Sequence, residues 1–168
     1  DDFVISMEIA KQGKRIVYDA EATALEDAAP GLSDEFRRKT RVAIGAFQSL
    51  RHGWGVPGLS LPRLAFCYFS HKVLRWLGPW ALLGCFVSCV ALAQHDPLWL
   101  PLAVAQAAFY LSALAGLCFP VLRPFRIVSI PMYFVLMNTA FAVGAVRSFT
   151  GSSGRWKPTA RTKLPRDE

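Results

Sequence analysis

A chain of 168 residues that is 53% hydrophobic and 18% charged is too apolar for an ordinary soluble domain and too charged to lie in a membrane throughout. Its net charge of +7 sits on Lys and Arg residues that flank apolar runs, which is how membrane proteins use cations. Nucleic acid is therefore the weaker inference, and no nucleic-acid partner is expected.

Charge divides the chain into two environments. Residues 1–76 carry nine acids and eleven Lys/Arg, whereas between 77 and 122 Asp96 is the only formal charge. The four cysteines (Cys67, Cys85, Cys89 and Cys118) lack zinc-type spacing and read as small apolar packing residues. The chain opens on Asp1-Asp2-Phe3, inside what reads as a structured unit, and is expected to be the carboxy-terminal portion of a longer protein.

In chain order, residues 3–12 predict a helix that ends at Gly13. Arg15-Ile16-Val17-Tyr18 then reads as a short buried strand continuing towards Leu25, and Pro30-Gly31 marks a loop. Helix, glycine, strand and loop together predict the end of an α/β domain. A second helix is expected from Ser33, as N-cap, to about Leu50, with Asp34 and Glu35 complementing the helix dipole in its first turn. At 100° per residue, Arg37, Arg41, Ile44, Gln48 and Arg51 fall in one sector of about 80°, opposite Phe36, Ala43, Ala46, Phe47 and Leu50. That helix has a cationic face, which either is solvated or lies at a membrane surface and offers Arg and Gln to an anionic ligand.

His52-Gly53-Trp54-Gly55 and Pro57-Gly58 end the helix. Residues 61–76 alternate aromatic and basic side chains, which suits an interfacial helix leading into the bilayer. Apolar spans follow at 77–93 and 98–122, separated by the polar turn Gln94-His95-Asp96-Pro97, and a third at 127–146. Each approaches the length needed to cross a ~30 Å hydrocarbon core. Lys72 and Arg75 before the first span, and Arg123 and Arg126 after the second, place those ends in the cytoplasm and the Asp96 turn outside. A full third crossing would put the basic tail at 147–168 outside, against the positive-inside rule. Pro131 and Asn138-Thr139 favour a re-entrant or interfacial third segment and a cytoplasmic tail.

Several of these segments resemble one family. Asp1-Asp2-Phe3 with its helix, followed by Gly13-Lys14-Arg15-Ile16-Val17-Tyr18, is similar to the acidic motif and "G-x-R-hydrophobic-x-Y" stretch of family-2 glycosyltransferases. Phe36-Arg37-Arg38-Lys39-Thr40-Arg41 and Gly45-Ala46-Phe47-Gln48-Ser49-Leu50-Arg51 resemble that family's "R-R-x-R…G-x-x-Q-x-x-R" helix, the Q-x-x-R-W region of cellulose, chitin, hyaluronan and poly-N-acetylglucosamine synthases. Ser70-His71-Lys72-Val73-Leu74-Arg75-Trp76 resembles the membrane-entry segment of bacterial members.

The resemblance implies inverting transfer of a sugar from a nucleotide-sugar donor to a glycan or lipid-linked acceptor at the cytoplasmic face of a bacterial inner membrane. It implies residues 1–58 as the end of a GT-A, Rossmann-like α/β catalytic domain, 59–76 as an interfacial helix, 77–146 as a membrane region of two to three helices and 147–168 as a basic tail. Asp2 takes the general-base role and Asp1 the neighbouring acidic position, since the acceptor hydroxyl must lose its proton as it attacks. From its residues alone, Asp2 also suits a helix N-cap. Gln48 and Arg51, supported by Arg41 and Arg38, would hold the departing diphosphate, for which the always-charged guanidinium fork is suited.

The family's Trp directly after that Arg is missing. His52 stands there and Trp54 two residues on, which leaves open Trp54 as the ring that stacks on the acceptor and puts processive synthesis in doubt. Trp156-Lys157-Pro158-Thr159-Ala160-Arg161 resembles a nucleotide-capping loop, with Trp156, Thr159 and Arg161 as its candidate contacts; a basic tail drawn to anionic lipid fits it equally. Divalent metal, Mg or Mn, is implied for the full enzyme. Its D-x-D ligands would lie upstream, since no D-x-D occurs here, and this portion alone is expected to be inactive. The alternative is a non-catalytic multi-span membrane protein, a transporter subunit or scaffold. Against a transporter, the first two spans offer only Ser88, Gln94, Gln106 and Ser112 as polar residues.

Overall fold

The computed structural model describes residues 2–23, 31–58 and 60–150. Among these, regular structure is entirely helical: α1 (Asp2–Lys11), α2 (Leu32–His52), α3 (Pro62–Tyr68), α4 (Leu74–Ala93), α5 (Leu100–Cys118) and α6 (Arg126–Phe149). A π-helical turn, Phe69–Val73, joins α3 to α4 without a break, and 3-10 turns at Pro97–Trp99 and Pro120–Leu122 lead into α5 and follow it.

The expected α/β, Rossmann-like portion is therefore corrected. Among the described residues there is no strand, and 14–23 has neither helix nor strand. Ile16, Val17 and Tyr18, predicted to be buried in a strand, are exposed. Alternating apolar residues make a strand only where a neighbour takes up the backbone N–H and C=O groups, and no described segment supplies that edge.

The helices end where local chemistry ends them. Gly13, just beyond α1, takes φ 75, and Gly53 after α2 takes φ 73, a left-handed conformation that glycine reaches without steric cost. The N–H groups of Gly53 and Trp54 close on the carbonyls of Leu50 and Ser49 at 3.3 and 2.9 Å. At the other end of α2 the N-cap is Gly31, not Ser33, and no side chain caps it. Asp34 and Glu35 lie in the first turn as expected. The turn after α4 is capped by Asp96, whose carboxylate accepts from the Leu98 N–H at 2.9 Å.

Two zones of packing result. In the first, Met7 of α1, Ala46 of α2, Tyr68 of α3 and Trp76 of α4 are buried together, with Phe3, Phe47, Leu50, Val56, Leu64, Val73 and Phe141 packed around them. In the second, α4 and α5 form an antiparallel hairpin in which Phe86 meets Tyr110 edge-on at 5.5 Å. Most large apolar side chains of that hairpin face outward, among them Leu83, Val87, Leu111 and Leu114. An apolar helix with an apolar outer surface is stable where the solvent is lipid.

Candidate functional site

The candidate site is the outer face of α2, together with the helix start that carries Asp2. Its cations fall into two groups. Arg37 pairs with Asp34; Arg38 holds Glu35 through both Nε and Nη2, at 3.1 and 3.2 Å; Lys39 lies 3.5 Å from Glu35. The Arg38 guanidinium beside Glu35 holds that carboxyl below its ordinary value. These are i, i+3 and i, i+4 pairs on an exposed surface, worth a few tenths of a kcal/mol each, about 0.3–0.5. Arg38, one of the residues expected to hold a diphosphate, is thus already committed to a carboxylate.

Arg41 and Arg51 form the second group. Both are exposed, and neither makes an ion pair among the described residues. Gln48 is half-buried between them. Ile44, placed in the same sector by helical periodicity, is buried instead. The reason is α6, which approaches α2 so closely at Gly144 that a methyl added there would collide with Ala43 and stand 2.8 Å from the Thr40 carbonyl and 3.2 Å from the Ile44 nitrogen. The presence of a helix on that side narrows the open strip to Arg37, Arg41, Gln48 and His52, with Arg51 at the strip's edge.

Beyond the helix, His52 and Trp54 stack with ring centroids 4.6 Å apart and 20° between planes. Trp54 stays 55% exposed, so one ring face is covered and the other is open to a flat apolar partner. The turn beneath is tied to α1, since the Gly55 N–H donates to the Glu8 carboxylate at 2.7 Å.

Asp2 is the first residue of α1, and its neighbour Phe3 is anchored firmly. Phe3 stacks on Tyr68 at 5.8 Å and meets Trp76 edge-on at 6.4 Å, and the Lys72 ammonium lies over its ring at 4.5 Å. Phe47, next to Gln48, also meets Trp76, at 6.3 Å. The start of α1, the C-terminal half of α2 and the start of α4 therefore share one aromatic cluster. Asp1, Trp156, Thr159 and Arg161 lie outside the described residues. Among the described residues no group of three His, Cys, Asp or Glu could hold a metal ion.

Periodicity missed the aromatic cluster. Tyr68 and Trp76, expected at the headgroup level, are 3% and 6% exposed, whereas Phe66 and Phe69 of the same stretch are exposed. Their i, i+8 spacing on one continuous helix was the available signal.

No family model, no curated protein and no solved structure matches the chain. What the fold itself defines is a membrane protein, with three helices long and apolar enough to cross a bilayer: Pro62–Ala93, Pro97–Cys118 and Arg126–Phe149.

Proposed function

We propose that this chain is the membrane-attached portion of an enzyme that transfers a sugar, with inversion, from a nucleotide-sugar donor to a lipid-linked or polysaccharide acceptor. In this reading Asp2 takes the proton from the acceptor hydroxyl. Arg41, Gln48 and Arg51 hold the nucleoside diphosphate as negative charge grows on it, and Trp54 offers its open ring face to the acceptor. The cytoplasmic leaflet of a bacterial inner membrane is the setting that the Lys/Arg distribution and the resemblance favour.

One observation carries the reading. Three of the segments that resemble family-2 glycosyltransferases, those that hold Phe3, Phe47 and Trp76, meet at a single residue: Phe3 and Phe47 both close on Trp76. Segments remote in sequence that resemble the acidic motif, the Q-x-x-R helix and the membrane-entry segment of one family also lie together in space. The supporting chemistry is selective. Local acids neutralise Arg37, Arg38 and Lys39 and leave Arg41 and Arg51 without an ion-pair partner among the described residues, as an anion site requires.

Replacing Arg51 by Lys separates this role from simple attraction to lipid. An ammonium cannot reproduce the bidentate fork, so sugar transfer by the full enzyme should lose at least about tenfold in catalytic efficiency, on the order of 1.4 kcal/mol. Headgroup attraction is worth about 1 kcal/mol for either cation. An Arg51→Lys enzyme with unchanged kinetics and unchanged inhibition by nucleoside diphosphate would remove Arg51 from the site.

A further inference from the structure

α6 satisfies length and composition for a membrane crossing, with 24 residues and an 18-residue stretch whose mean hydropathy is 1.7. Its packing partners point elsewhere. Its first turns lie on the C-terminal half of α5. The Ser112 hydroxyl donates to the Ile127 carbonyl at 2.7 Å, a methyl at Gly116 would stand 2.7 Å from Val128 and 3.1 Å from the Met132 sulfur, and Phe109 meets Phe134 at 5.6 Å. Midway, Asn138 sits against Gly78, near the start of α4, and Phe141 joins the cluster around Met7, Tyr68 and Trp76. From there α6 runs beside α2. Leu136 lines a groove with Leu32, Phe36 and Arg37, and Gly144 touches Thr40, Ala43 and Ile44.

α2 cannot accompany α6 into hydrocarbon. Between 34 and 41 it carries Asp34, Glu35, Arg37, Arg38, Lys39 and Arg41, and a single Asp, Lys or Arg at the centre of a spanning helix already costs about 2.5–3.5 kcal/mol. The part of α6 that packs on α2, from Leu136 onward, therefore lies no deeper than the headgroup–acyl boundary. Residues 126–135 remain, and ten residues at ~1.5 Å each reach about 15 Å, half of a ~30 Å core.

We propose that α6 does not cross. It lies along the headgroup–acyl boundary of the leaflet in which α4 begins, its partner is that lipid surface, and the chain crosses the membrane twice. The exposed Ile127, Ile130, Val146 and Phe149 meet the upper acyl chains, while Arg126, at its start, reaches headgroups. Thr150, just after the helix, then lies on the side that holds α2. This placement of α6 does not depend on sugar transfer.

Single cysteines at Asp96, Arg123 and Thr150 test this, in a chain whose exposed Cys67, Cys85 and Cys118 are replaced by Ala and whose buried Cys89 is kept. Sealed membranes of one orientation are treated with an impermeant maleimide before and after permeabilisation. Thr150→Cys should label with Arg123→Cys, on the side opposite Asp96→Cys. Labelling of Thr150→Cys together with Asp96→Cys would overturn the proposal. Nitroxides placed in turn along 127–149 give an independent reading of depth. An in-plane helix shows a shallow 3.6-residue oscillation with no trend, whereas a single depth maximum near the helix centre would mean a crossing.

Discussion

The ring of Phe3 meets the ring of Trp76 edge-on, with centroids 6.4 Å apart and 87° between planes. That contact fixes the helix start carrying Asp2 beside the first turn of α4, and Phe47 closes on the same indole from α2. Edge-to-face pairs of this kind add about 0.5–1.5 kcal/mol to what burial contributes. Trp76→Ala should therefore destabilise by about 3–5 kcal/mol, in the range of other buried aromatic truncations. Thermal unfolding in nanodiscs, with protease cleavage after α1 as a local probe, measures it. An unchanged melting temperature with α1 still protected would show that the cluster does not hold α1.

α1 is tied a second time, through the Glu8 carboxylate, which accepts from the Gly55 N–H at 2.7 Å and from the Lys11 ammonium at 2.9 Å. The hydrogen bond from Lys11, then that from Gly55, hold the Glu8 carboxyl below its ordinary value. A depressed carboxylate contributes stability that is present above its unfolded-state pKa and is lost as pH falls through the folded value. Protease release of α1 should accordingly rise on acidification below the ordinary carboxylate range. Glu8→Gln should flatten that rise and leave α1 looser at neutral pH. An identical acid profile in the variant would assign the effect to another carboxylate.

Gly144 sits where α6 touches the backbone of α2. A Leu there cannot be accommodated, because the nearest atoms include the Thr40 carbonyl and the Ile44 nitrogen, which do not rotate away. Gly144→Leu should cost about 1–3 kcal/mol, as overpacking does, and should part the two helices. A disulfide between cysteines placed at Leu136 and Phe36 would report it by forming in the parent and not in the variant. Equal cross-linking in both would argue against the close approach.

Gln106 presents the reverse case. Its Nε2 is buried, with no hydrogen-bond partner among the described residues, in the middle of a lipid-facing hairpin. An unpaired buried amide costs about 1–3 kcal/mol, so Gln106→Leu should leave stability unchanged or raise it. A clear fall in melting temperature would mean that the amide has a partner in the assembled protein.

Sequence reading located the helices well wherever one periodicity dominated. The α2 amphipathicity, the Gly13 and Gly53 stops, the Asp96 turn and the apolar spans are local features, set by spacing and by glycine. Two non-local features decided the rest. Residues 15–18 have the composition of a strand, but a strand requires a partner, and composition is silent on partners. Ile44 shares an azimuth with Arg41 and Gln48, and only the approach of α6, permitted by a glycine far along the chain, turned it inward. α6 itself has the apolarity of a crossing helix; the charges that argue against one belong to α2. The candidate site was partly legible, because Arg41, Gln48 and Arg51 follow from periodicity and the resemblance, and the pairing of Arg38 with Glu35 is an i, i+3 contact that spacing already allowed.

The claim of sugar transfer meets its most direct test at Asp2. In the full-length enzyme, membranes are supplied with radiolabelled nucleotide sugar, and both its binding and its turnover to nucleoside diphosphate are followed for the parent and for Asp2→Asn. The amide fills the same space but cannot take the acceptor proton. Binding within a few fold of the parent, with turnover abolished, is the result expected. Turnover above a tenth of the parent rate would contradict the assignment of Asp2 as the base, and the absence of any turnover of nucleotide sugar by the parent would contradict the proposed function itself.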